Sequence, residues 1–290
     1  LSNKPYIALI GHGVWGRQHA RVLRELGALR WVYDANAMQL IKVEEATQSV
    51  GDVLNDAEVR GVVIATPPST HHDLTVLALK KSKHVLVEKP MATTVREAQE
   101  MLEIAQHERR VLMVGHLMRY HSGFQAFASQ VKERNDVHYL YSIRQQSGIV
   151  RTEENVLWSL APHDVSMLVA LAGVPQGVRC IGKVCGNGDV ADIAATLYEF
   201  PNGIRGHMFV SWLHPSKVRE VCVVHNGGSL VFRDEPTEEE PLHTELRHFL
   251  HCIETGAQPL TDAKEGLNVV RVLTACQRSM DYNGKWMEVA

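Results

Sequence analysis

Cysteine is scarce and unpatterned. The 290-residue chain has five (Cys180, Cys185, Cys222, Cys252 and Cys276), an odd number with no C-x-x-C pair. This excludes a disulfide-scaffolded secreted fold and a paired-thiol redox motif. It reads as incidental thiols of a reduced compartment, so the expected location is cytoplasmic. Long apolar runs are missing too: none approaches the roughly 18–20 residues of a membrane span, and the first residues lack a signal peptide's apolar stretch. Neither sign of charge dominates. Thirty Lys and Arg against 33 Asp and Glu give a formal net charge of −3, which excludes a polybasic arm held on nucleic acid or an anionic membrane by charge alone. There is no internal repeat and no low-complexity linker.

What is present fits an ordinary globular protein, with 45% hydrophobic and 22% charged residues. At about 100–200 residues per domain, the length allows one large or two medium domains. Short β-branched runs at 6–10, 29–33, 62–65, 84–87 and 111–114 alternate with helical stretches at 14–26, 73–80 and 95–106. Nearly continuous apolar strands between helices predict a parallel sheet covered on both faces. The pattern changes after about residue 120. A helix at 124–133 leads into strand-like segments at 138–145, 178–184, 191–200, 203–212, 219–225 and 229–232. Turn signals such as Pro201-Asn202-Gly203 and Asn226-Gly227-Gly228 separate several of them, which predicts a largely antiparallel sheet. Further helices are expected near 162–172, 242–255 and 263–280.

Gly11-His12-Gly13-Val14-Trp15-Gly16 is G-x-G-x-x-G directly after the first strand and at the start of the first helix. The first glycine permits a tight turn, the second lets a pyrophosphate approach the backbone, and the third lets helix and strand pack closely. Gly11, Gly13, Val14, Trp15 and Gly16 are therefore candidate dinucleotide contacts, with phosphates on the positive end of the helix dipole. Asp34 ends the second strand, where a carboxylate accepts hydrogen bonds from ribose hydroxyls. It would repel a 2′-phosphate, and no Arg follows in Asp34-Ala35-Asn36-Ala37, so the expected cofactor is NAD.

Three more stretches close successive strands: Ala65-Thr66-Pro67-Pro68-Ser69-Thr70-His71, Val87-Glu88-Lys89-Pro90 and Gly115-His116. With the glycine motif and the antiparallel second half, the chain resembles the glucose–fructose oxidoreductase / inositol dehydrogenase (Gfo/Idh/MocA) family over essentially its whole length. The resemblance implies an α/β fold class with two domains. Residues 1–119 would be an NAD-binding Rossmann domain with a doubly wound parallel sheet. Residues 120–290 would be an α/β domain whose large, mostly antiparallel open sheet binds substrate and joins copies into a homodimer or homotetramer. It also implies that Thr66, Pro67, Pro68, His71, Glu88 and Lys89 line the cofactor, that Pro90 follows a cis-proline-like bend, and that Lys89 is an acid/base group. A lysine partly removed from water beside a cationic ring gives up its proton more readily, which suits that role.

Asn155-Val156-Leu157-Trp158-Ser159-Leu160-Ala161-Pro162-His163-Asp164 is similar to a narrower branch, the 3-dehydrogenases of UDP-N-acetylhexosamines. There His163 would face the hydroxyl being oxidised, a task suited to a neutral imidazole. The wider family often carries Asp four residues before this histidine. Here that position is Ser159, leaving Asp164 as the substitute that would orient His163. Ser211-Trp212-Leu213-His214-Pro215-Ser216-Lys217-Val218-Arg219 resembles the same branch. Trp158, Asp164, Trp212, Lys217 and Arg219 are candidate substrate contacts: a tryptophan face for a sugar or uracil ring, and a cation for a pyrophosphate. Trp212 reads equally well as sheet core, and the two cations as solvated strand ends.

No metal site is expected. His243 and His248 point roughly 140° apart around a helix, and His243 and His251 lie about 12 Å apart along it. Only His248 and His251 could share an ion, and they would need ligands from elsewhere. The acidic stretch 234–240 reads as a solvated turn before a helix start.

These features together lead to an NAD-dependent enzyme oxidising the C-3 hydroxyl of a nucleotide-activated amino sugar, best matched by UDP-N-acetylglucosamine. The 3-keto product would suit an aminotransferase in cell-surface polysaccharide or lipid A biosynthesis. Alternatives within the fold are a dehydrogenase of UDP-N-acetylglucosaminuronic acid, a dTDP-ketosugar reductase and a free polyol dehydrogenase. For a uronate, Arg119, Arg144 and Arg151 are the candidate cations. A non-catalytic NAD-binding regulator is the alternative from another class.

Overall fold

The computed structural model describes residues 5–147, 154–185 and 188–290. Arg151 lies outside them. The chain divides into two compact units: residues up to Leu117 together with Glu239–Leu267, and Met118–Glu238 together with Asn268–Ala290. A boundary near residue 119 places everything after it in one domain, whereas Glu239–Leu267 packs with the first unit.

The first unit holds a six-stranded parallel sheet of β1 (Tyr6–Ile10), β2 (Leu29–Tyr33), β3 (Ala46–Thr47), β4 (Val59–Ile64), β5 (His84–Glu88) and β6 (Leu112–Gly115), in the order β3-β2-β1-β4-β5-β6. Ile7, Ala8 and Leu9, Val62–Ile64 and Val85–Val87 are all fully buried, as strands covered on both faces must be. The helices between them are α1 (Val14–Glu25), α2 (Val50–Asn55), α3 (His71–Lys80) and α4 (Val95–His107). Strand order reverses between β1 and β4, which opens a crevice at the carboxyl ends of the strands. The β6 edge is closed by residues from far along the chain. Val114 donates its N–H to Thr261 O at 2.8 Å, and Thr261 Oγ1 donates to Val114 O at 2.7 Å.

In the second unit come α5 (Ser122–Lys132), β7 (Val137–Ser147), α6 (Val156–Ala172), β8 (Gly177–Lys183), β9 (Ile193–Glu199), β10 (Arg205–Ser211), β11 (Leu213–His225) and β12 (Gly228–Arg233). Helix α7 (Pro241–Thr255) then belongs to the first unit, and α8 (Ala263–Asp281) and β13 (Met287–Glu288) follow. The seven-stranded sheet runs β12-β11-β7-β10-β9-β8-β13, and only β7 and β10 are parallel. One face buries alternate residues such as Leu140, Met208, Thr196 and Cys180 in a core shared with Phe124, Leu157, Val165 and Leu273 of the helices. The opposite parity points outward, leaving Ile181 61% and Leu197 58% exposed, with Tyr141 stacked on His207 at 5.0 Å.

Helix α6 starts six residues before the expected 162. Asn155 caps it, its Oδ1 accepting the N–H groups of Leu157 at 3.1 Å and Trp158 at 3.2 Å. Pro162 therefore sits inside the helix, where it cannot donate to the carbonyl four residues back.

Helix α7 lays Phe249 and Ile253 over Gly61, where an added Cβ would come within 3.2 Å and 2.9 Å of them. One turn earlier on that face is Glu245, fully buried, with neither carboxyl oxygen hydrogen-bonded. Burial first, and then the nearby charge of Glu88, raise its pKa well above the ordinary value. The folded chain keeps this proton where the unfolded chain, at about 4.3, releases it. Its contribution to stability is therefore full below the unfolded pKa and is lost as pH rises toward the folded one. Glu245→Gln should raise the urea midpoint at pH 8 and leave it nearly unchanged at pH 4. Parallel pH curves for the two proteins would refute this.

Candidate active site

The first strand ends in a turn that only glycine fits. Gly11 has φ +97°, and a Cβ there would lie 2.5 Å from Ala65 O. A Cβ at Gly16 would lie 2.0 Å from Gly11 O, so α1 approaches β1 through that gap. Gly13 differs, since a Cβ would meet nothing within 4 Å. Protein packing does not require glycine there, and the position is open to a closely approaching ligand. Gly13 is also the N-cap of α1 and supplies no side-chain cap, leaving first-turn N–H groups for an anion. Val14 and Trp15 flank this spot, 81% and 45% exposed.

Asp34 is oriented at the end of β2. Its Oδ2 accepts His12 N–H at 2.7 Å and its Oδ1 accepts Asn36 N–H at 2.8 Å. A second lone pair on each oxygen remains for ribose hydroxyls. The Thr66-Pro67-Pro68 loop follows β4 in the same crevice, with Thr70 Oγ1 donating to Thr66 Oγ1 at 2.7 Å. These residues fit an NAD dinucleotide in chemistry and position. Gly16→Ala should weaken NAD binding by about 10-fold or more, since helix and strand must separate to admit the methyl group. Fluorescence titration with NADH is the check.

His71 is fully buried, its ring nitrogens 2.8 Å from Pro90 O and 2.9 Å from Thr66 O. It ties the two loops together. Burial lowers its pKa, against the pull of the two carbonyls.

The Lys89–Pro90 peptide is cis, in line with the expected bend. Lys89 is half-buried at the end of β5. Its N–H donates to Glu88 Oε2 at 3.2 Å, while Glu88 Oε1 lies 2.8 Å from Nε2 of the buried His19 on α1. Burial opposes ionisation of Glu88, but His19 and then Lys89 outweigh it, so its pKa falls below the usual carboxylate value. Glu88 thus supports Lys89 from beneath. Gly115 leaves room for it, since a Cβ there would come within 3.1 Å of that carboxyl group. Next to it, His116 is buried with Nδ1 2.6 Å from Glu265 Oε2. His19, Glu245 and Glu265 were not singled out from the sequence. His19 carries a faint signal, as a polar residue one turn after Gly16 on the helix face that must meet the sheet.

The second-unit candidates separate by environment. His163 is half-buried in the middle of α6. Asp164 is buried and accepts from Ser142 Oγ and Arg144 Nε of β7, so it holds the sheet and not His163. Trp212 lies in the core, 3% exposed, with Nε1 donating to Asp192 Oδ1 at 2.6 Å. No face of its ring is open to a sugar. Trp158 is half-buried and donates to Gln277 Oε1 at 3.2 Å. Lys217 is exposed, 3.3 Å from Asp234 Oδ2, and Arg219 Nη1 donates to the same oxygen at 2.8 Å. Of the histidines weighed for a metal, His248 Nε2 accepts Leu260 N–H at 3.1 Å. Among the described residues, no helix is long and apolar enough to cross a membrane.

Comparison with known proteins agrees with this arrangement. The model described as "Oxidoreductase family, NAD-binding Rossmann fold" matches residues 6–116, and the GFO/IDH/MocA C-terminal domain model matches residues 132–231. UDP-N-acetylglucosamine 3-dehydrogenase of Acidithiobacillus ferrooxidans is 31% identical over 90% of this chain and 93% of its own length. A structure of that enzyme, GnnA, superposes with TM-score 0.86 at 25% identity, covering 96% of this chain and 97% of the other. The scyllo-inositol 2-dehydrogenase (NAD(+)) of Bacillus subtilis is 24% identical over 91% of this chain and 83% of its own. GenD2 from gentamicin A biosynthesis, solved in complex with NAD, shares the fold with TM-score 0.90 at 23% identity, over 99% of this chain and 97% of that one. The chain therefore belongs to the Gfo/Idh/MocA oxidoreductase family and is one of its NAD-binding members.

Proposed function

We propose that the protein oxidises the C-3 hydroxyl of a UDP-N-acetylhexosamine, with UDP-N-acetylglucosamine as the first candidate. The observation that carries this reading is the 31% identity to an enzyme of that name over 90% of the chain, together with Lys89 and His163 at the motif positions. NAD, when bound, supplies the hydride acceptor. Lys89, fixed at the end of β5 by the Glu88–His19 pair, holds or takes the proton of the substrate hydroxyl as the C–H bond breaks. His163, in the middle of α6, is the residue assigned to orienting that hydroxyl.

The uncovered face of the seven-stranded sheet, with Ile181, Leu197 and the Tyr141–His207 stack, is read as the contact between copies in a homodimer or homotetramer. Large exposed side chains on an open sheet are a liability unless a second copy covers them.

The test is NADH formation with UDP-N-acetylglucosamine, UDP-N-acetylglucosaminuronic acid, dTDP-sugars and free polyols, each with and without 2-oxoglutarate to recycle a tightly held NADH. Turnover with UDP-N-acetylglucosamine supports the proposal. Turnover confined to a polyol moves the substrate class. Silence across the panel with NAD bound returns the reading to a regulator.

A further inference from the structure

On the helix-covered face of the second sheet, two arginines stand directly opposite each other on neighbouring strands, Arg144 of β7 and Arg219 of β11. Like charges in that position repel and destabilise a sheet. Arg144 is only 3% exposed, and burial and the nearness of Arg144 both lower the pKa of Arg219. Each guanidinium is held by one carboxylate, Arg144 through Nε by Asp164 and Arg219 through Nη1 by Asp234. Each also keeps a buried N–H that finds no partner: Nη2 of Arg144 and Nε of Arg219. Counting Lys217, three cations face two carboxylates here, while His121 Nε2 lies 3.7 Å from Asp234. A methionine at 219 would fill the position without repulsion or an orphaned donor. An arrangement that leaves both is explained by an anion that satisfies both.

We propose that Arg144 and Arg219, with Lys217 at the rim, form an oxyanion-recognition site that takes a phosphate or carboxylate group carried by the substrate. The carrier's identity as a sugar rests on the function proposed above, whereas the oxyanion chemistry rests on the arginine pair. Asp164 and Asp234 fix the two guanidinium planes, and one N–H from each reaches the bound group. Neutral sugars would leave these donors unmet and be poor substrates.

Two measurements test this. In the first, inorganic pyrophosphate and glucuronate are titrated calorimetrically into protein saturated with NADH, which blocks the glycine loop. The wild type should bind at least one of them, and Arg219→Gln should weaken that binding about 10- to 100-fold, the loss of one charge-assisted hydrogen bond. Arg219→Lys should recover part of it, separating the effect from misfolding. The second measurement compares steady-state rates. Arg219→Gln should raise KM by a similar factor, with kcat much less affected. The rise for UDP-N-acetylglucosamine identifies the phosphate as the bound group, and a rise confined to uronates identifies the carboxylate. The proposal is overturned if neither probe binds the wild type, if Arg219→Gln binds them equally well, or if free N-acetylglucosamine is turned over as efficiently as its UDP form. If no sugar is oxidised, the dehydrogenase reading fails and the titration still decides the site.

Discussion

Lys89→Met is expected to lower kcat about 10²- to 10⁴-fold, the usual range for removing a positioned proton-transfer group, with NADH affinity within a few-fold of the wild type. The backbone that carries Lys89 is held by other residues: its N–H goes to Glu88, and Pro90 O sits 2.8 Å from the His71 ring. Removing the ammonium therefore leaves the loop in place. Lys89→Arg sharpens the test. Arginine keeps the positive charge but does not release a proton in this pH range. If Lys89 moves a proton, both variants fall together in single-turnover hydride transfer. An arginine variant retaining most of the wild-type rate would reduce Lys89 to an electrostatic role.

Asp164→Ala is expected to cost about 3–5 kcal/mol of stability, because it leaves Arg144 buried with no counter-charge. The pair is among the least exposed in the chain, at 3% for Arg144 and 1% for Asp164. Ser142 Oγ would lose its acceptor in the same step. A double replacement, Asp164→Leu with Arg144→Met, should recover much of the loss, since exchanging both partners of a buried ion pair for apolar groups is often close to neutral. Urea unfolding of the two singles and the double closes the cycle. Additive losses would mean that the two side chains act independently.

Periodicity and turn chemistry made much of the fold legible. The segments read as strands at 6–10 and 29–33 coincide with β1 and β2, and the glycine motif marks the junction of β1 and α1. The start of α6 was less legible because Pro162 looks like a first-turn proline. The stronger signal was Asn155, whose side chain reaches the N–H groups that need a cap. Trp212 could not be resolved by sequence, since strand parity does not say which face of a sheet is covered. Residues made important by distant partners carried least signal. His19 meets Glu88 across 69 positions, and the raised pKa of Glu245 comes first from burial and then from the charge of Glu88, a strand end far away in sequence. Arg144 was visible only as a cation without a place. Its register opposite Arg219 depends on how β7 and β11 pair, and no local pattern contains that pairing.

The discontinuity of the first unit bears on how the molecule is made. Residues up to Leu117 emerge from the ribosome long before Glu239–Leu267, which complete the same unit. Until then Gly61 lacks its covering Phe249 and Ile253, the β6 edge lacks Thr261, and Arg21 lacks the Glu240 carboxylate that it meets at 2.7 Å. The nucleotide-binding half therefore cannot finish folding as an independent early product, and its contacts between distant residues slow the search. A premature stop codon anywhere between 120 and 238 would remove at least β13 from the second sheet and would also strip the first unit of its last helix. The two halves are separable as compact bodies but are inherited and synthesised as one.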